Sequence, residues 1–411
     1  MIIIGILFFI FGFVTWLNGS LIPFLKIILT LSDFEAFFVT FAFYIAYTVM
    51  ALPMASILER TGYKNGMSLG LLIMCLGSLL FIPAALNAQY ALFLMALFTL
   101  GTGLTLLQTA SNPYIVLIGP EESAAMRISI MGLINKSAGV LAPLIFTSLI
   151  LSGIGSVEDL SLEDISNLAY KLIIPYLVMA VALASLALFV KLSSLEELEY
   201  EKDEFDDSSI FSFARVVLGA IALFFYVGIE VIAGDTIGLY AQGLGVADAT
   251  SLTSYTMVFM VISYLIGVFF IPKYLSQEKA LIGSSLLGLF LLLGVAFSST
   301  TSHTLSEVLW GWSGIMILPN SVTFVALLGL ANALVWPTIW PLALEDLGRH
   351  TAKGSALLIM AIAGGALLPL AFGHISQLSG DMQGSYLYGI ICYLVILFYA
   401  LKGHKMNSWS L

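Results

Sequence analysis

Apolar stretches long enough to cross a bilayer recur along the whole 411-residue chain, and nothing else in it narrows the fold so far. A membrane-crossing helix needs about 20 mostly apolar residues. Twelve such stretches are read, at 2–29, 34–58, 66–86, 90–117, 126–152, 167–191, 213–242, 250–272, 280–298, 321–346, 353–378 and 384–402. Lipid offers the backbone no hydrogen bonds, so stretches of this length fold as helices that bond internally. The expected fold class is therefore an all-α membrane protein of twelve transmembrane helices. Composition agrees, with 60% hydrophobic and only 10% charged residues, where soluble domains carry about 25% charge.

Basic residues set the expected orientation. With both termini in the cytoplasm, twelve Lys and Arg face inward: Arg60, Lys64, Arg127, Lys191, Lys202, Arg215, Lys273, Lys279, Arg349, Lys353, Lys402 and Lys405. Lys26 and Lys171 face outward, Lys136 stays inside a span, and the loop acids Glu158, Asp159, Glu163 and Asp164 lie outside. The first stretch lacks a basic start and a small-residue cleavage site, so it reads as a span and not a removable signal. It begins at Met1 inside a span, which leads us to expect a trimmed start. Residues 192–212 carry eight acids and read as a solvated cytoplasmic linker. They divide the chain into six-span bundles at 1–191 and 213–411.

The two bundles echo each other. Gly139 and Pro143 of the fifth span match Gly365 and Pro369 of the eleventh, and Arg127 and Ser129 match Lys353 and Ser355. Gln108 and Pro113 of the fourth fall on Asn332 and Pro337 of the tenth, and Gly19-Ser20 falls on Gly234-Asp235. Each bundle has an even number of spans, so the two share one orientation, as in a parallel transporter repeat. After the second span, Glu59-Arg60-Thr61-Gly62-Tyr63-Lys64 reads as an ion pair and a tight glycine turn tying helix ends together.

Five segments carry a resemblance: FYIAYTVMALP (43–53), LLQTASNPYIV (106–116), GLINKSAG (132–139), YVGIEVIAGD (226–235) and NALVWPTIWPLAL (332–344). Together they resemble the fucose permease family of the major facilitator superfamily, and within it the bacterial sodium-dependent glucose/galactose branch. The resemblance implies two pseudo-symmetric six-helix bundles around a central sugar site. Two positions depart from the proton-coupled members, which carry an Asp where this chain has Gly19 and a Glu where it has Gln108. Neither Gly nor Gln exchanges a proton near neutral pH. The resemblance therefore implies sodium-coupled hexose import across the cell inner membrane, by a protein expected to act as a monomer, with sodium as a co-transported substrate and no resident cofactor. Proton-coupled symport of fucose or N-acetylglucosamine type is the alternative.

Ionisable groups inside spans cost about 2.5–3.5 kcal/mol each on insertion scales and mark function by default. Away from helix ends there are three: Lys136, Glu230 and Asp235. Sodium takes oxygen ligands, so Glu230 and Asp235 are the expected metal ligands and ion-coupling residues, with Lys136 as a third coupling residue. Pairing of one carboxylate with Lys136 is the competing role. The two acids lie five residues apart, about 140° around an ideal helix. Meeting at one point requires a bend, for which Gly228, Gly234 and Gly238 provide a weak spot; Thr236 and Ser20 offer hydroxyls.

A sugar wants donors and acceptors together with a flat apolar face, which amides and aromatic rings supply. The substrate-binding candidates are Asn18, Gln108, Asn112, Asn135, Asn332 and Trp336, with Tyr44 and Tyr47 behind them. Gln108 and Asn112 share a helix face, as do Asn332 and Trp336. Helix–helix bonding by buried amides is the competing role. Pro113, Pro337 and Pro341 are expected to kink their helices.

Other classes lack their signatures. Fifteen Lys+Arg against 25 Asp+Glu, net −10, leave no basic footprint for nucleic acid. Cys75 and Cys392 lie in separate apolar runs, and His303, His350, His374 and His404 have no metal-ligand spacing. The sequence holds no phosphate-binding, serine-hydrolase or zinc-protease motif.

Overall fold

The computed structural model describes residues 2–117, 124–150, 168–195, 210–271, 274–345, 347 and 351–409. Among them, twelve helical spans are long and apolar enough to cross a membrane. They are Ile2–Leu29, Asp33–Ala51, Arg60–Asn87, Tyr90–Asn112, Arg127–Ile150, Leu168–Leu192, Ala214–Asp235, Ala249–Phe270, Gln277–Phe297, Asn320–Leu344, Leu357–Ser379 and Met382–Lys405. The acids over 196–209, the loop carrying Glu158, Asp159, Glu163 and Asp164, and Lys202, Lys273, Arg349 and His350 lie outside the described residues. So do the side chains of Glu59, Lys353 and Ser355.

Local chemistry sets where spans begin and turn. Ser32 and Glu35 form a reciprocal cap ahead of the second span: Ser32 Oγ accepts from the Glu35 amide, and Glu35 Oε2 accepts from the Ser32 amide at 2.8 Å. Ser276 caps the ninth span and Asp381 opens the twelfth in the same way. The second and third spans are one helical stretch from Phe38 to Asn87, broken at Gly62. There φ is 76° and ψ 173°, a conformation that only glycine takes without strain, as the motif had indicated.

Each bundle is closely packed. In the first, the first span packs on the fifth, the third on the fourth, and the third on the sixth through stacked Phe81 and Tyr176 rings. In the second, the seventh packs on the eleventh and twelfth, the eighth on the tenth, and the ninth on the twelfth. The repeated pairs 1–5 and 7–11 both depend on glycine. A methyl on Gly12 would lie 1.9 Å from the Asn135 carbonyl, and one on Gly364 would lie 1.8 Å from the Phe224 carbonyl.

The bundles meet along two seams, the fifth span against the eighth and the second against the eleventh. On the face away from the termini they are also latched to each other. The outer part of the first span, Asn18–Leu29, packs on Ile237–Gly243 and on Ala249–Ser251. Ser20 donates to the Thr250 carbonyl, and the Thr147 and Thr250 hydroxyls bond to each other at 2.8 Å. Phe37 and Phe372 meet edge to face at 5.8 Å.

Candidate functional site

Helix breaks decide what the centre of the molecule presents. The first span runs over Ile2–Leu29, and Leu17 within it keeps helical backbone angles. The seventh runs unbroken over Ala214–Asp235, bends at Thr236 and resumes over Ile237–Gly243. A methyl on Gly19 would lie 2.0 Å from Thr253 Oγ1 and 3.0 Å from the Gly234 carbonyl, so the first and seventh spans approach closely there. The Trp16 ring covers Gly234.

The expected bend of the seventh span is corrected on this point: it falls after Asp235 and not between the two carboxylates. Glu230 and Asp235 therefore keep the angular separation of a continuous helix. The tenth span carries a second correction. It breaks at Ala333–Leu334, between Asn320–Asn332 and Val335–Leu344, and passes through Pro341 as helix. Pro337 explains this: it has no N–H for the Ala333 carbonyl, and its ring crowds that turn. Asn332 and Trp336 thus stand on the two sides of this turn. The fourth span, with Pro113, runs unbroken over Tyr90–Leu117.

Glu230 is buried and ion-paired. Its Oε1 accepts from Lys136 Nζ at 2.8 Å and from the Tyr226 hydroxyl, one turn earlier, at 2.7 Å. Lys136 also sits 4.3 Å from the centre of the Trp16 ring, a cation–π contact. The pair crosses from the fifth span of one bundle to the seventh of the other. The pairing weighed as the competing role for a carboxylate is the one Glu230 adopts.

Asp235 is wholly buried. Its Oδ2 accepts from Thr40 Oγ1 of the second span at 3.3 Å, and its Oδ1 has no partner among the described residues. Two donors close to the same contact are also unpartnered, Trp16 Nε1 and Asn18 Nδ2. Thr253 and Thr256 of the eighth span donate to the Gly234 and Ala233 carbonyls, and Thr236 bonds the Tyr386 hydroxyl at 2.7 Å. Ser20, expected to offer a hydroxyl here, gives it to Thr250 instead.

The remaining candidates spread over two sides. Gln108 and Asn112 of the fourth span are half-buried, and Gln108 Nε2 donates to the Tyr47 hydroxyl at 2.8 Å. Half-buried Trp336 lies 6.3 Å from the Tyr226 ring and 5.5 Å from Trp340, an aromatic wall beside Glu230. Asn135 donates weakly to the Phe8 carbonyl at 3.3 Å, joining the first and fifth spans. Asn332 is completely buried, and its Oδ1 accepts from Tyr393 of the twelfth span at 2.6 Å. Its oxygen joins the tenth span to the twelfth, and its Nδ2 has no partner among the described residues. Asn18 is buried in the first span, next to Gly19.

Sequence reasoning did not single out Thr40, Tyr226, Tyr393 or Trp16. Tyr226 was within reach, since it precedes Glu230 by four residues on one helix face. Gln108, Asn112, Trp336 and Trp340 are half-buried, and the face away from the termini is latched. Polar and aromatic side chains from both bundles thus gather near the seam.

This two-bundle fold, with its polar centre at the seam, defines a membrane transporter and not an enzyme. Residues 4–369 match the Major Facilitator Superfamily, and the chain belongs to it. Within that superfamily it falls with the fucose permease family. It is 35% identical over 408 residues to a glucose/galactose transporter of Brucella abortus biovar 1 (strain 9-941), covering 97% of this chain and 93% of that one. It is 28% identical to an L-fucose-proton symporter of Escherichia coli (strain K12), covering 96% and 90%. Among solved structures it resembles the transporter FucP in the outward conformation, with TM-score 0.71 and 26% identity over 97% of both chains. The fold also matches a D-xylose-proton symporter at TM-score 0.70.

Proposed function

We propose that the chain imports a hexose, glucose or galactose, by alternating access, driven by sodium entry. The observation that carries this reading is the centre itself. Gln108, Asn112 and Trp336 offer amides and an aromatic face beside a buried charge pair, at the seam where the bundles move against each other. Near-full-length similarity to glucose/galactose transporters supports the hexose. With the termini cytoplasmic, in the inner membrane, the latched face is the outer one. A potential of about 100 mV supplies about 2.3 kcal/mol per charge, and a tenfold sodium gradient adds about 1.4 kcal/mol. One sodium per sugar would then support accumulation of several hundredfold.

Proton coupling is the second reading, favoured by the L-fucose-proton symporter among the relatives. Counterflow of labelled glucose in proteoliposomes, with sodium present or replaced by choline and unlabelled hexoses as competitors, tests both. The sodium reading expects exchange that requires sodium and is competed by glucose and galactose. Sodium-independent exchange that quickens at acid pH would favour the proton.

A further inference from the structure

We propose that the coupling sodium binds at Asp235 with Thr40 as a ligand from the opposite bundle, and that Glu230 is not part of this site. The inference rests on the sodium reading above and names the site within it.

The argument starts from charge. A buried carboxylate needs a counter-charge or a full set of donors. Glu230 has an ammonium in contact, Lys136, and a second donor, Tyr226, both on its Oε1. Among the described residues, Asp235 has no ammonium in contact and a single donor, Thr40. No salt bridge reaches it among the described residues, its one hydrogen bond is long at 3.3 Å, and its Oδ1 is unpartnered. A mobile cation supplies what the fold leaves out at Asp235 and would be redundant at Glu230, where an ammonium already stands.

The surroundings suit a hard cation. Thr40 is completely buried, and its hydroxyl faces the carboxylate. When a cation arrives, the same oxygen can turn a lone pair toward it. Thr40 and Asp235 belong to different bundles, so a cation held by both strengthens the contact between them.

The second span also connects this site to the amides. Thr40, Tyr44 and Tyr47 follow at spacings of four and three, on one helix face. Thr40 touches Asp235. Tyr44 covers Gly365 of the eleventh span and stacks on Tyr47 at 6.2 Å, and Tyr47 holds Gln108. The stripe thus runs from the cation to the sugar-facing amide.

The test is glucose uptake by proteoliposomes at varied sodium in wild type, Thr40→Ser and Thr40→Val. Loss of a hydrogen-bonding oxygen at a charge is worth about tenfold or more. We expect Thr40→Val to raise the half-saturating sodium about tenfold and Thr40→Ser to stay within about twofold. Glucose affinity at saturating sodium should hold in both. Thr40→Ala, which removes the oxygen without adding bulk, replaces Val if that variant does not fold. A half-saturating sodium unchanged in Thr40→Val or Thr40→Ala, while wild type responds to sodium, would overturn this site and leave the sodium reading standing. No sodium response in wild type would overturn both.

Discussion

Glu230 and Asp235 stand five residues apart on one helix, yet their surroundings are opposite. Glu230 is held by an ammonium and a phenol, and its ion pair bridges the bundles permanently in this conformation. Asp235 sits beside a helix break with one loose hydroxyl partner and one unpartnered oxygen. The contrast teaches that intramembrane charge has two uses in this fold. One carboxylate is paired by the protein itself, and the other has no charged partner in contact among the described residues, as the proposed cation site requires. Which use applies is decided by the partner bundle, through Lys136 for one and Thr40 for the other.

Removing the ammonium tests the contrast most severely. Lys136→Met strands Glu230 in a buried site, and breaking such a pair costs about 3–5 kcal/mol. A marked fall in the melting temperature of the purified protein is expected. Lys136→Met with Glu230→Gln should recover most of it, because no lone charge remains. If the single variant melts like wild type, Glu230 is not the satisfied member of the two.

Tyr226→Phe removes the second donor from Glu230 and should cost about 1.5–3 kcal/mol, as for a hydrogen bond to a charge. Thermal unfolding of the purified variant checks it. The half-saturating sodium should stay where it is. A shift there would place the cation near Glu230 and erase the distinction.

Tyr47→Phe cuts the link between the second span and Gln108, a neutral hydrogen bond worth about 0.5–1.5 kcal/mol. Glucose binding should weaken by about two- to tenfold, and stability should fall by no more than the worth of that bond, about 0.5–1.5 kcal/mol. Competition binding at saturating sodium reads the effect. Unaltered affinity would show that Gln108 is not held in place by this tyrosine.

Asp235→Asn should disturb stability least, within about 0.5 kcal/mol or toward a gain, because it removes a buried charge that lacks a partner. Sodium-dependent protection against heat should vanish in the same variant. A fall as large as that of Lys136→Met would mean that Asp235 is as firmly bonded as Glu230.

How far the sequence revealed this arrangement follows from what each side chain costs. Spans and charged groups are expensive in lipid, so the twelve helices, Lys136, Glu230 and Asp235 stood out from residue types alone. Thr40 did not, because a threonine hydroxyl on a membrane helix is cheap and commonly satisfied by its own backbone, and Tyr47 stood only behind the amides. Their roles come from neighbours in distant spans. The bond of Asn332 was hidden for a related reason. Helical spacing names residues on one face but not the neighbour in a distant span, here Tyr393, and it did not place the turn that Pro337 sets between Asn332 and Trp336. Pro113 leaves the fourth span continuous, and Gln108 stays half-buried on it. The repeat was legible as matching residues, but the different fates of its two prolines were not.

Radiolabelled sodium uptake into proteoliposomes, driven only by an inward glucose gradient, puts the account to its sharpest trial. Wild type should carry sodium inward with the sugar, and Asp235→Asn should carry none. Glucose entry that draws in no sodium in wild type, or sodium entry that persists undiminished in Asp235→Asn, would contradict it.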